Sequence, residues 1–271
     1  MKDQARHVRS LVFVVLTLTL TCNSVYAQST PPSGTSGYLM HASYTDPSNK
    51  LGFALIGLMA FDGAGNVTGS YASEPQNTPQ PRTGALTGTY TANPDGTGSM
   101  NIADDTGTKF TFATVIVDGG QGIQLLVTGC SGGLIVIPNG CSIGGTTTIS
   151  GIARVVYTGP LQGSYGTEIT ISPQGAIGVG ATNLDGAGNL TISANYVFLS
   201  GTEGQPTLFT LTNTGTYTLN SDGTGAATLA AMPDQGAQTF AIVATDGGSG
   251  LMLLQVNRSG NGVSFGTARL Q

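Results

Sequence analysis

The chain has no tryptophan, two histidines, three cysteines and only 8% charged residues in 271. Each shortage removes a class of function. His41 is the one histidine left once residues 1–27, read below as a leader, are set aside. A zinc or iron site built on imidazole, or a histidine-dependent triad, would depend on that single ring. A lone histidine on a strand reads more simply as a polar surface or barrel-lining residue. Glutamate occurs only at Glu74, Glu168 and Glu203, which leaves little material for a carboxylate pair of the glycosidase kind. Without tryptophan, a sugar-binding platform would depend on tyrosine alone. There is no basic run or patch, so nucleic acid is not an expected partner. No glycine-rich loop opens a helix, and no stretch carries a helical period. The residue inventory therefore points to a protein that is not an enzyme and needs no metal and no cofactor.

What the chain has in quantity is glycine, 42 residues, together with frequent threonine. That composition suits short strands and tight turns. The organising stretch is Phe61-Asp62-Gly63-Ala64-Gly65-Asn66-Val67, which returns as Leu184-Asp185-Gly186-Ala187-Gly188-Asn189-Leu190. Glycine and asparagine between apolar runs fit a hairpin turn, where positive φ is needed. Asp62 and Asn66 also offer oxygens to a cation, but the further carboxylates of a calcium loop are missing. More matched pairs follow in the same order. Gly88-Thr89-Tyr90-Thr91 with Asn93 to Gly98 answers Gly215-Thr216-Tyr217-Thr218 with Asn220 to Gly225. Asp118-Gly119-Gly120 answers Asp246-Gly247-Gly248, and Ala153-Arg154 answers Ala268-Arg269. This is an internal duplication with a period too long for a solenoid repeat, so each copy is expected to be a domain.

Residues 1–27 read as an export signal. Lys2, Arg6 and Arg9 precede the apolar run Leu11–Leu20, and Val25-Tyr26-Ala27 is a small-residue cleavage site. The run is too short to span a bilayer, and no membrane span is expected in the mature chain. Acylation at Cys22 is the alternative; the Thr19-Leu20-Thr21 before it lacks the usual glycine or alanine, which favours cleavage after Ala27. Removing the leader takes three of nine cations and one of fourteen anions, leaving about seven net negative charges. The destination is periplasmic, cell-surface or extracellular. Residues 28–36 read as a disordered lead, 37–157 as the first copy, 158–162 as a linker and 163–271 as the second copy.

Eight strands are expected in the first copy: Tyr38–Tyr44, Gly52–Phe61, Val67–Ser73, Leu86–Ala92, Gly98–Ile102, Lys109–Val117, Gly122–Thr128 and Thr147–Val156. The second copy repeats them. Short turns make each copy an antiparallel meander. A flat eight-strand sheet would leave two edges open to aggregation, and pairing the first strand with the eighth removes both. The expected fold is therefore all-β, two tandem antiparallel eight-stranded meander barrels. A two-sheet sandwich and a sixteen-strand membrane barrel are the alternatives. The connections are too short for the first, and the second lacks aromatic girdles. The first copy carries an insertion: Asp118 to Arg154 spans 36 residues against 23 from Asp246 to Arg269. Cys130 and Cys141 bracket it, and two cysteines in an exported chain read as a disulfide.

The run Phe61-Asp62-Gly63-Ala64-Gly65-Asn66, followed by Gly88-Thr89-Tyr90-Thr91 and Asp95-Gly96-Thr97-Gly98, resembles exported bacterial β-barrel repeat proteins of lipocalin-like or allene-oxide-cyclase-like kind. The resemblance covers both copies. It implies an exported barrel and brings no catalytic residues. The lipocalin pairing of an aromatic on the first strand with an arginine on the last is echoed by Gly163-Ser164-Tyr165 with Arg269, and by Tyr38 with Arg154. Those arginines either stack on an aromatic ring at the barrel end or stand exposed.

Two functions fit. One is a structural or interaction module of the cell surface or periplasm, with filled barrels and a cell-surface partner. The other is a carrier that holds a small apolar ligand inside a barrel, its lining including Phe110, Phe112 and Phe240. The variable connections Glu74–Arg82 and Ser200–Thr207 are where a grafted function would sit.

Overall fold

The computed structural model describes residues 32–44, 54–73, 81–131, 147–172, 176–198, 207–231, 236–257 and 263–271. The leader with Cys22 and Ala27, Glu74, Glu203 and Cys141 lie outside the described residues. The first copy contains β1 (Ser33–Tyr44), β2 (Ala54–Asp62), β3 (Asn66–Ser73), β4 (Arg82–Ala92), β5 (Thr97–Asp104), β6 (Lys109–Val117), β7 (Gly122–Ser131) and β8 (Thr147–Val155). The second contains β9 (Gln162–Ser172), β10 (Ala176–Asp185), β11 (Asn189–Phe198), β12 (Thr207–Leu219), β13 (Thr224–Leu229), β14 (Gln238–Thr245), β15 (Gly250–Gln255) and β16 (Val263–Leu270). Each set runs in chain order around a closed antiparallel barrel. The seams are β1 on β8, from Ser36 opposite Val155 to Tyr44 opposite Thr147, and β9 on β16, from Tyr165 opposite Leu270 to Ser172 opposite Val263.

The repeated motifs are turn chemistry, and they match bond for bond. Asp62 Oδ1 accepts the N–H groups of Ala64 (2.7 Å) and Asn66 (2.9 Å), while Oδ2 accepts the Asn66 side-chain amide (2.6 Å). Asp185 does the same for Ala187 and Asn189 at 2.7, 2.9 and 2.6 Å. These bonds hold both carboxyls below the usual carboxylate range, the Asn66 and Asn189 side chains contributing most. Both carboxylates therefore serve the turn. Gly63, Gly65, Gly186 and Gly188 take the positive φ that the turn requires.

The tyrosine of the second motif has a role that its strand position did not reveal. Tyr90 Oη donates to the Pro32 carbonyl and Tyr217 Oη to the Leu161 carbonyl, each at 2.6 Å. Both phenols tie down the residue that enters the first strand of its barrel. This corrects two boundaries. Strand β1 begins at Ser33 inside the expected lead, because Ser33–Ser36 pair with Met59–Asp62. Strand β9 begins at Gln162, and Leu161 is buried in the second core, so the expected linker 158–162 shortens from its C-terminal end. The arginines are placed too. Arg154 lies opposite Gly37 and pairs with Asp118; Arg269 lies opposite Gly166 and pairs with Asp246. Arg269 does stand exposed, as one of the two readings had it, while Arg154 is half-buried; each ties the Asp-Gly-Gly turn to the last strand through its ion pair.

Among the described residues three apolar clusters hold the molecule. One lies inside the first barrel and includes Tyr38, Met59, Phe110 and Phe112. One lies inside the second and includes Leu161, Tyr165 and Phe240. The third joins the barrels: outward residues Leu39, Ala54 and Ile56 meet Val243, Met252, Leu254, Val263 and Phe265. Gly37 allows the approach, since a Cβ there would stand 2.3 Å from Val243 Cγ1. Beside it the Tyr157 N–H donates to the Ala244 carbonyl at 2.8 Å, and Val156 bridges Thr245. Each large apolar side chain buried there contributes roughly 1.5–3 kcal/mol. Leu254→Asp puts a carboxylate into this contact without touching either barrel interior. It is expected to cost about 3 kcal/mol and to split thermal unfolding into two calorimetric transitions; one transition at the parent temperature would contradict the coupling.

Candidate functional site

Outward positions of five strands meet where the barrels touch. Strand β1 brings Leu39 and His41, β7 brings Gln124, β8 brings Ser150 and Ile152, β9 brings Glu168 and Thr170, and β16 brings Phe265 and Thr267. Together they border a cleft of about 510 Å³ between the barrels. The pleat explains the selection: alternate residues of each strand face out, and on these strands the outward set is mixed apolar and hydroxylic.

His41 lies outside its own barrel and against the other one, so it is neither barrel lining nor free surface. Its ring stacks on Phe265 of the second barrel, centroids 4.4 Å apart and planes at 18°. Burial lowers its pKa from the ordinary value of 6.5. The ring is therefore neutral at pH 7, with a buried Nδ1 that has no hydrogen-bond partner among the described residues. The cleft thus offers one neutral imidazole, one carboxylate, hydroxyls and an amide, on an apolar floor. This is a set for hydrogen-bonding a polar molecule, and His41 and Ser150 stand directly opposite each other in it across β1 and β8.

The residues named from sequence as barrel lining stand elsewhere. Phe110, Phe112 and Phe240 all point inward and are 6%, 1% and 6% exposed. Phe110 and Phe112 pack on each other with centroids 6.1 Å apart. A register shift at Thr111/Phe112 against β7 keeps Cys130 and Val127 opposite the two rings. Cys130 packs against that core, and Cys141 lies outside the described residues. Sequence reasoning missed the cleft. The available signal was for the barrel–barrel contact beside it: the pattern of β15, Leu251-Met252-Leu253-Leu254, whose apolar residues occupy both faces and so announce burial on both sides.

No protein-family profile matches the chain, and no curated protein does. A solved structure of transferrin binding protein B, a vaccine-antigen double mutant from Haemophilus parasuis Hp5, aligns over 87% of this chain and 75% of its own, at 8% identity and a TM-score of 0.26. A likeness that remote carries no ligand or partner over to this chain. No helix among the described residues is long and apolar enough to cross a membrane.

The histidine gives a pH test with a defined sign. Its folded pKa is depressed, so as pH falls from about 6.5 the unfolded chain takes up the proton first. Stability is expected to fall through that window and level off below the folded pKa. His41→Phe keeps a ring against Phe265 and is expected to flatten this part of the profile. Thermal melts from pH 7.5 to pH 5 compare the two proteins; identical profiles would exclude His41 as their source.

Proposed function

We propose that this chain is an exported, non-enzymatic interaction module. Its barrels serve as filled scaffolds, and recognition uses their outer walls and the cleft between them. One observation carries this reading. The inward side chains of each barrel form a continuous buried apolar cluster, and the residues expected to line a ligand cavity, Phe110, Phe112 and Phe240, are core members of it. An eight-stranded barrel is just wide enough for its own side chains to fill. The polar groups with unused hydrogen-bonding capacity, His41 Nδ1 first among them, stand outside the barrels instead.

Export after Ala27 and a Cys130–Cys141 bond complete the proposal. An exported chain meets an oxidising compartment, and a cysteine anchored on the β7 end of the first core would order the insertion that follows. A loop this short would contribute at most about 3 kcal/mol. The carrier reading, an apolar ligand inside a barrel, is the competing one.

Native and denaturing mass spectrometry of protein purified from its own host tests these points together. The expected species starts at Gln28, shows the mass deficit of one disulfide, and carries no extractable apolar molecule. An apolar ligand lost on organic extraction and restored on mixing would establish the carrier instead. Two free thiols would remove the disulfide, and a lipid-modified Cys22 would remove the cleavage site.

A further inference from the structure

The duplication supplies a test for every surface residue: what its counterpart does in the other copy. The barrel–barrel contact is not symmetric. The first copy uses its β1–β2 wall, and the second uses its β14–β16 wall. Each copy therefore also carries the wall that its sister uses, and among the described residues the apolar centre of that wall stands exposed.

Strand registers identify the counterparts without ambiguity. Leu39 faces Ile56 across β1 and β2 as Glu168 faces Val179 across β9 and β10. Val243 faces Met252 across β14 and β15 as Val115 faces Gln124 across β6 and β7. Ala241 faces Leu254 as Ala113 faces Leu126. Inside the contact, Ile56, Val243 and Leu254 are 1%, 2% and 0% exposed, and Ala54 is 0%. Their counterparts Val179, Val115, Leu126 and Ile177 are 56%, 45%, 45% and 47% exposed. These four are half of the exposed large apolar residues among those described. Two more extend the second-copy wall, because Val197 lies opposite Ile177 and Leu208 lies opposite Val197.

We propose that these two walls bind each other between chains. The β10 wall of one molecule, centred on Ile177 and Val179, docks on the β6–β7 wall of a second copy, centred on Val115 and Leu126. The contact reproduces the one already built within the chain. Around each apolar centre the counterparts are polar: Glu168 stands where Leu39 does, Gln124 where Met252 does, and Ser150 where Phe265 does. An apolar centre with a polar rim is the anatomy of an interface that forms and releases, rather than a permanent core. Both walls border the same cleft, since Gln124 and Ser150 line it from the first barrel and Glu168 and Thr170 from the second. Two chains facing one another across that side satisfy both contacts at once. The assembly is a closed dimer, a ring of four barrels, in place of an open fibre. This inference stands independently of whether the barrel interiors are filled.

Sedimentation velocity of the full exported chain over a concentration series tests it, with circular dichroism to confirm folding. The parent protein is expected to pass reversibly from monomer to dimer. Val179→Glu and Leu126→Glu lie on exposed wall positions, and each is expected to raise the concentration of half-association by about tenfold or more. Mixing the two variants leaves one contact undamaged, so the mixture is expected to associate more tightly than either variant alone. A parent chain that stays monomeric throughout would overturn the proposal. So would a substitution without effect, or a mixture no tighter than its parts. A ladder of higher oligomers would overturn the closed ring.

Discussion

The hydrogen-bonded seam between the first and last strand of each copy is the constraint on which the molecule depends. Eight consecutive strands with short turns have two free edges, and in a chain this rich in β-formers those edges invite pairing with other molecules. Joining β1 to β8 and β9 to β16 removes them. Closure also decides what each residue does. It divides every strand into an inner face that must fill a narrow barrel and an outer face left for solvent or partners. The conserved pieces of the duplication serve this closure. Two aspartates lock the β2–β3 and β10–β11 turns, two tyrosines anchor the entry to the first strand, and two Asp–Arg pairs clamp the last.

Once the barrels close, the remaining freedom lies on their outer walls, and there the copies part company. Identical contacts cannot be made on both sides of a two-barrel chain when the interface joins unlike faces. One copy presents Leu39 and Ile56, the other Val243, Met252 and Phe265, and the matching walls are released from burial. The polar residues Glu168, Gln124 and Ser150 on those walls suit exposure. The exposed valines, leucine and isoleucine that persist there do not. The inter-barrel cleft is a consequence of the same docking: two convex walls touch along a line and diverge on either side of it.

The duplication, the strand order and the turns were legible in the sequence because each leaves a local pattern. Lys109–Val117 puts Phe110, Phe112, Thr114 and Ile116 on one face and is the strand observed. The Asp-Gly-Ala-Gly-Asn runs name their own hairpins. Less legible was anything set by contact between barrels. His41 looked like any polar strand residue, and nothing near it in sequence announces Phe265, which lies at the far end of the chain. Leu39 and Ile56 sit in apolar runs whose inward and outward members look alike. Ser33–Ser36 read as lead because their composition is polar, yet pairing with Met59–Asp62 needs only backbone groups. Phe110, Phe112 and Phe240 were correctly placed inside, but an inward aromatic is the same sequence signal whether it fills a core or lines a cavity.

Hydrogen exchange followed amide by amide tests closure most directly. Amides at the two seams, between Leu39 and Ile152 in the first barrel and between Ile169 and Gly266 in the second, belong to continuous ladders. They are expected to exchange as slowly as those between β4 and β5 or between β12 and β13, through opening of the whole barrel. Seam amides that exchange orders of magnitude faster than those mid-sheet pairs would mean open sheets with frayed edges, and two closed barrels would be the wrong description.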